Sequence, residues 1–339
     1  MVERRIFSAM QPSGRLHLGN YFGALANWVR LQEEIPGVYA VADIHSLTTL
    51  SGEETSRIQP NTLDMVMDWL AAGLDPERNI LFVQSHVPEV LTLHSLLSMT
   101  TPLGWLMRIP SFKEKVRQMG EDEEHVSYGL VGYPVLQTAD VILYKANQVP
   151  VGIDQVPHIE LMREITRRFN RLYGDTFPEP EAMLTETPMI YGTDALWDED
   201  KRRWSPKMSK SLDNQIELSA TGEETTKRAK TMATDPQRQR LSDPGRPEEC
   251  NVYSLHRIFN PEKLDEIHRQ CTHAEIGCVA DKQTLADGIN AYLATFRERR
   301  QEIAEHPGRV REVLKAGAER AKAIARETLA EVYEKMGLA

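Results

Sequence analysis

The stretch Ile6-Phe7-Ser8-Ala9-Met10-Gln11-Pro12-Ser13-Gly14-Arg15-Leu16-His17-Leu18-Gly19-Asn20 decides the fold. Ile6-Phe7 opens a short apolar strand, and Met10 to Gly14 is a turn by composition. Beyond it, Tyr21, Leu25, Trp28 and Leu31 recur at helical spacing. Strand, glycine-bearing turn and helix, in that order, form the place where a nucleotide-binding α/β sheet holds phosphate groups. Gly14 and Gly19 permit close backbone approach. His17 and Asn20 can donate to phosphate oxygens without carrying a permanent charge.

Working outward, Val38-Tyr39-Ala40-Val41-Ala42 and Ile80-Leu81-Phe82-Val83 read as buried strands. Between them Leu63, Val66, Met67 and Leu70 keep helical spacing. Val149-Pro150-Val151-Gly152 reads as another strand end, followed by a helix carrying Ile159, Met162, Ile165, Phe169 and Leu172. Strands alternating with helices predict an α/β fold: a doubly wound, Rossmann-type parallel sheet with helices on both faces. From about residue 215 onward there are helix patterns and almost no strand signal. The clearest run over 284–304 and, after the His306-Pro307-Gly308 break, over 309–336, where Val310, Val313, Leu314, Ala321, Ile324 and Leu329 form a stripe. The reading therefore divides the chain into a Rossmann-type domain over 1–212 and an α-helical domain over 213–339.

Composition bounds the class. A chain of 339 residues suggests about two domains at roughly 150 residues each. With 41% apolar and 27% charged residues it is neither disordered nor fibrous. No apolar run reaches the roughly 18 residues of a membrane helix, and no signal-peptide core follows Met1. The expectation is a cytoplasmic protein with no membrane partner. The net charge is −10. Residues 1–212 hold 20 Lys and Arg against 28 Asp and Glu, and residues 213–339 hold 20 against 22. That balance argues against non-specific duplex binding. It leaves room for a local basic track, since nine bases face five acids within 297–326. Three cysteines cannot make a disulfide framework.

A second signal lies near the proposed boundary. Lys207-Met208-Ser209-Lys210-Ser211 sets two lysines three apart in a short polar loop, which suits a triphosphate. Together, His17-Leu18-Gly19-Asn20 and Lys207–Ser211 resemble the two signatures of the class I aminoacyl-tRNA synthetases. The middle of the chain narrows the resemblance through Gly132-Tyr133-Pro134-Val135-Leu136-Gln137-Thr138-Ala139-Asp140, Pro150-Val151-Gly152-Ile153-Asp154-Gln155, His158-Ile159-Glu160-Leu161 and Arg168-Phe169-Asn170. With Gln11-Pro12-Ser13-Gly14 and Ala42-Asp43-Ile44-His45-Ser46-Leu47-Thr48, the chain resembles the bacterial tryptophanyl-tRNA synthetases from about residue 4 to its end.

The resemblance implies a site in detail. Asp140 would accept the indole N–H of L-tryptophan, with Phe7 and the 135–139 segment as walls. Tyr133, Gln137 and Gln155 would hold the α-amino group and Gln11 the carboxylate side; family members vary at the position of Gln137. His45 has a pocket role or a structural one. ATP would meet Gln11, Pro12, Ser13, Gly19, Asn20, Gly152, Ile153, Asp154, Ile190, Lys207, Met208, Ser209, Lys210 and Ser211, with Mg²⁺ on its phosphates. His17, Asn20, Lys113, Lys207 and Lys210 would surround those phosphates during catalysis. The family also implies homodimers, tRNA(Trp) as partner and an anticodon-binding role for the helical domain. There Arg297, Arg299, Arg300, Arg309, Arg311 and Arg320 together suit a phosphate track, whereas each one alone reads as part of a solvated helix face. A tyrosine–tRNA ligase shares the Tyr-Pro, Gln and Asp arrangement. A tRNA-binding or protein-binding paralogue without aminoacylation is the rival from another class.

Two stretches depart from the family pattern. Some members hold an iron–sulfur cluster with four cysteines. Here Cys250, Cys271 and Cys278 stand in comparable surroundings, but Asp281 occupies the fourth position. Three plain buried thiols are the favoured reading over a degenerate cluster. The segment Leu196 to Pro206 is longer than usual, and Trp197 and Trp204 flanking its charged run predict a β-hairpin or lid extension.

Overall fold

The computed structural model describes residues 4–109, 112, 113, 116, 126–184, 188–200 and 202–339. It forms two compact units. One comprises residues 1–14, 27–186 and 306–339; the other comprises 15–26 and 187–305.

The first unit is built on five parallel strands: β1 Ile6–Met10, β2 Gly37–Val41, β3 Ile80–Val83, β4 Gln148–Val151 and β5 Glu181–Leu184. Their order is β3-β2-β1-β4-β5, so the chain winds outward from β1 in both directions. Every residue of β2 is buried, which is why its sequence is a continuous apolar run without alternation. The direction reverses between β1 and β4, and such a switch point leaves a crevice at the strands' C-terminal ends. Gln11 to Ser13 leave one side of it and Gly152 to Gln155 the other.

The helices follow the apolar periodicity. α1 covers 18–31 and carries a π-helical turn at Tyr21–Leu25. Three further helices are α2 Ile58–Ala71, α3 Glu89–Ser98 and α4 Tyr128–Ile142. Ser127 caps α4 by accepting from the Leu130 N–H at 3.2 Å. α5 Val156–Tyr173 buries Ile159, Met162, Ile165 and Phe169, the stripe expected from the sequence, and ends at Gly174 with φ 96°. In the core, Tyr144 stacks on Phe7 at 5.8 Å between ring centroids and meets Phe82 edge-on at 5.4 Å.

The second unit opens with an antiparallel hairpin, β6 Tyr191–Asp198 and β7 Arg203–Lys207. Trp197 and Trp204 sit directly opposite each other with ring centroids 4.9 Å apart, so the long segment is a hairpin as its tryptophans suggested; Lys201 lies outside the described residues. Helices follow: α6 Gly222–Lys230, α7 Asn251–Phe259, α8 Leu264–Thr272 and α9 Cys278–Ala304. Residues 15–26 join this unit because Phe22 packs against Phe259 and Tyr292 at 5.9 and 5.8 Å.

The last helix, α10 Pro307–Met336, packs in the first unit, although the sequence reading placed it with the helices after 213. Its Ala318, Ala321, Ala325 and Leu329 enter the same core as Phe82 and Val135. Gly317 explains the close approach. A Cβ there would lie 1.8 Å from the Leu81 carbonyl oxygen of β3, which no rotamer change relieves. Gly317→Ala is therefore expected to destabilise the fold by about 3 kcal/mol despite alanine's better helix propensity. Thermal or urea unfolding checks this; an unchanged or raised midpoint would refute it.

Among the described residues no helix is long and apolar enough to cross a membrane.

Candidate active site

In the second unit the first signature segment is joined by backbone to residues 216–218, a few positions after the lysine loop. Leu18 N–H donates to Ile216 O at 3.0 Å, Leu218 N–H donates to Leu16 O at 2.9 Å, and His17 pairs with Glu217 as an antiparallel bridge. Arg15 adds an ion pair to Glu217 at 3.2 Å. His17 is the N-cap of α1, and its own N–H donates to Asn20 Oδ1 at 3.2 Å. A Cβ on Gly19 would crowd the His17 ring at 3.0 Å, so glycine leaves the imidazole its place, with Met208 Cβ in ordinary contact at 3.6 Å. Burial, and then the Lys210 charge, push the His17 imidazole down to about 4. It is neutral at physiological pH, the state in which one ring nitrogen donates and the other accepts.

The lysine loop has an organiser that the sequence reading missed. Asn214, only 2% exposed, accepts from Ser209 N–H at 2.7 Å and donates to Asp194 Oδ1 at 2.7 Å. Its carbonyl accepts from Thr193 N–H at 2.8 Å. Met208 is buried and donates its N–H to Ile190 O at 3.2 Å, while Ser209 and Ser211 hydroxyls share a bond of 2.8 Å. Lys207, at the end of β7, points to the surface and Lys210 is half-buried. The same unit thus gathers His17, Gly19, Asn20, Ile190 and Lys207 to Ser211. Only the Asp-Asn pair after Leu212, a common turn signal, marked Asn214 in the sequence.

In the first unit α4 presents Tyr133, Gln137 and Asp140 at i, i+4 and i+7, one face of the helix. Tyr133 Oη bonds His158 Nε2 at 3.0 Å, and its ring lies 5.5 Å from that of His45. Asp140 is 4% exposed, and both its oxygens accept from Gln84 Nε2, at 2.7 and 2.8 Å. Burial pushes the Asp140 carboxyl up to about 7; the Gln84 bond opposes this and the Asp43 charge adds to it. Gln84, directly after β3, is the second residue the reading missed.

Around the switch point, Asn61 Nδ2 donates to Pro12 O at 3.0 Å and Ser13 N–H to Gln11 O at 2.8 Å. Gln155 Nε2 donates to Asp154 Oδ2 at 2.9 Å, and a Cβ on Gly152 would meet Asp154 Oδ1 at 2.8 Å. Ile153 is exposed. Lys113 is exposed too, beside Phe112, which is buried in a cluster with Tyr133; Ser111, Glu114 and Lys115 lie outside the described residues.

The arginines and the cysteines of the helical region have structural partners. Arg297 is spent on structure, donating to Asn290 Oδ1 and Thr225 Oγ1 at 2.8 Å each and tying α9 to α6. Arg320 donates to the Pro76 and Asn79 carbonyls at 2.8 and 2.9 Å. Neither guanidinium is available as a simple phosphate track. The cysteine group also departs from a cluster site. Asp281, the fourth position, faces His256 at 3.1 Å instead of completing a thiolate set. Asn260 Nδ2 donates to His256 Nδ1 at 2.9 Å, so Nε2 carries the proton given to Asp281. Arg238 donates to Cys271 Sγ at 3.5 Å, and burial pushes the Cys250 thiol up and the Cys271 thiol to about 11. All three cysteines are free. Among the described residues no three His, Cys, Asp or Glu side chains are grouped to hold a metal ion.

Comparison with known proteins shows the chain's family. The family model described as tRNA synthetases class I (W and Y) matches residues 2–294. The tryptophan–tRNA ligase of Thermotoga maritima is 43% identical over 98% of this chain and 99% of its own. That of Aquifex aeolicus is 38% identical over 98% of this chain and all of its own. The crystal structure of tryptophanyl-tRNA synthetase from Campylobacter jejuni complexed with ADP and tryptophan superposes with a TM-score of 0.85. It shares 34% identity and covers 98% of this chain and 100% of that one.

Proposed function

This chain belongs to the class I tRNA synthetases of the W and Y family, and on that premise we propose that it is a tryptophan–tRNA ligase whose amino-acid selection centres on Asp140. The observation that carries the reading is a buried carboxylate on α4, held by one amide and placed on the same helix face as Tyr133 and Gln137.

The reaction has two steps. An oxygen of the tryptophan carboxylate attacks the α-phosphorus of ATP; the new C–O–P anhydride forms as the bond to the bridging oxygen breaks and pyrophosphate leaves. A ribose hydroxyl of the terminal adenosine of tRNA(Trp) then attacks the activated carbonyl, and AMP leaves. No side-chain nucleophile is required, so the protein's work is alignment and charge stabilisation.

In this reading Asp140 accepts the indole N–H, Phe7 walls the ring, and His45 stands beside Tyr133. Tyr133, Gln137 and Gln155 hold the α-amino group and Gln11 the carboxylate side. Pro12, Ser13, Gly152, Ile153, Asp154 and Ile190 take the adenosine. His17, Gly19, Asn20, Lys113 and Lys207 to Ser211 take the phosphates. That donor set of neutral imidazole, amide, backbone and ammonium suits phosphate oxygens and contains no carboxylate for a metal. Mg²⁺ accordingly enters on the triphosphate, where it neutralises the phosphates' charge. Residues 1–212 carry the activation chemistry, and the helices after 213 take the anticodon arm in the cytoplasm, the chain acting as a homodimer.

The test is amino-acid-dependent exchange of pyrophosphate into ATP with all twenty amino acids. Exchange with tryptophan alone is expected. Exchange with tyrosine would keep the mechanism and overturn Asp140's partner; no exchange from folded, ATP-binding protein would overturn the enzyme reading.

A further inference from the structure

Asp140 has one polar neighbour that reaches both of its oxygens. Gln84 is 1% exposed, and its Nε2 lies 2.7 and 2.8 Å from Oδ1 and Oδ2. The other end of the amide is fixed by the main chain: Gln84 Oε1 accepts from His45 N–H at 3.1 Å. A carbonyl oxygen pinned by a backbone donor leaves the NH₂ end no choice but to face the acid. The polar groups therefore run in one direction, from the His45 backbone through Gln84 to Asp140.

The ionisable surroundings make that amide matter. From the turn after β2, Asp43 opposes ionisation of Asp140, while its own Oδ1 accepts from the Ile44 and Ser85 N–H groups at 2.9 Å each. One turn along the chain, the buried Tyr144 phenol is pushed well above its ordinary value by burial and by the charges of Asp140 and, from α3, Glu89. Burial also lowers His94 on α3, and His158 on α5 is engaged with Tyr133 Oη. No cation faces Asp140 among these groups, so the Gln84 amide is what favours its charged form.

We propose that Gln84 is a positioning residue for tryptophan selection: held by the His45 main chain, it aims the Asp140 carboxylate and keeps it an acceptor for the indole N–H. This rests on the reading that Asp140 receives that N–H. A neutral carboxyl presents an O–H, which an indole N–H cannot use, and replaces a charge-assisted bond by a weaker one.

The test measures KM for tryptophan and for ATP in pyrophosphate exchange between pH 6 and 9, using the full chain and the variants Gln84→Leu and Gln84→Glu, with thermal melting as the folding control. Gln84→Leu removes the donor. Its KM for tryptophan is expected to rise by about tenfold at pH 7 and to recover as pH rises and Asp140 ionises. Gln84→Glu nearly keeps the shape. Protonated at low pH, its O–H replaces the amide donor; ionised at high pH, it repels Asp140, so its KM for tryptophan is expected to climb from pH 6 to 9. Opposite slopes with a steady KM for ATP support the proposal, and a purely structural role would not produce them. The same pH profile in both variants and the unaltered enzyme, or a parallel rise in both KM values, overturns it. Asp140→Asn separates the two readings. An unchanged KM for tryptophan there removes the Asp140 reading and this inference together; a raised one, with inert Gln84 variants, removes this inference alone.

Discussion

Replacing Asp140 by asparagine is expected to cost the enzyme tryptophan and reward the fold. The carboxylate supplies a charged acceptor that an amide does not, and the new NH₂ group would face the Gln84 donor that now holds both oxygens. A charged hydrogen bond lost from a dry pocket, with an indole N–H left unpaired, predicts a fall in kcat/KM for tryptophan of about 10²-fold. ATP affinity should stay within about twofold. Sites built around such an acceptor reject ligands lacking the donor by roughly 10⁴ or more, so exchange with phenylalanine should become detectable in the variant.

Stability should move the other way. The folded carboxyl sits at about 7 against an ordinary 3.8, so the fold binds that proton more tightly than the unfolded chain does. The sign follows: this residue's contribution is best below pH 3.8 and worsens as pH rises through about 7. Asparagine, which never ionises, should therefore stabilise the unliganded protein at pH 8 by on the order of 2 kcal/mol, after discounting the imperfect bond to Gln84. Denaturant titration at pH 8 and pH 5 checks this. A variant less stable than the parent at pH 8, or equally selective for tryptophan, would show that Asp140 is an ordinary core acid.

What the sequence made legible follows from which forces are local. β2 and β3 were readable because strands buried on both faces must be apolar throughout. The hairpin was readable because Trp197 and Trp204 bracket its turn. β5 was not: Glu-Ala-Met-Leu is a short edge strand, half-exposed, with no apolar run to betray it. The return of α10 to the first unit was hidden for a different reason. Val310, Leu314 and Ala321 announce an amphipathic helix but not its partner, and the decisive residue, Gly317, looks like a helix breaker until Leu81 O is beside it. In the candidate site, His17 and the lysine pair stood out because their side-chain types suit phosphate, and Asp140 stood out through the family resemblance. Gln84 and Asn214 act on other residues, and an amide in an apolar stretch or a turn signals nothing until its partners, 56 and 5 positions away, are in place. Asp281 shows the converse. Its sequence position raised the alternative of a substitute ligand, and the structure gives it His256 across the helix interface as a partner.

Lys210→Ala is expected to separate chemistry from amino-acid binding. Lys210 starts the short turn Lys210–Leu212, directly after the residue that Asn214 anchors, so its position is set by a buried amide. Its charge reaches His17, where it is the second cause of the lowered imidazole value after burial. In the proposed site both groups act on the phosphates of ATP. As pyrophosphate departs, negative charge builds on its oxygens, and a fixed ammonium in a partly dry site stabilises that charge more than it stabilises bound ATP. The first-order rate of adenylate formation should fall by about 10²–10³-fold, with tryptophan affinity unchanged within about twofold. Lys210→Arg should recover part of the rate, since it keeps the charge but not the point geometry. The His17 imidazole should rise in Lys210→Ala and still stay below its ordinary 6.5, because burial, the larger cause, remains. His17 should therefore stay neutral in the slow variant from pH 7 to 9, so the pH profile there should match the parent's, which rapid-quench measurements can resolve. An unaltered rate would take Lys210 out of the reaction. A joint collapse of rate and tryptophan affinity would mean that the lysine supports the loop's shape and not the departing phosphate.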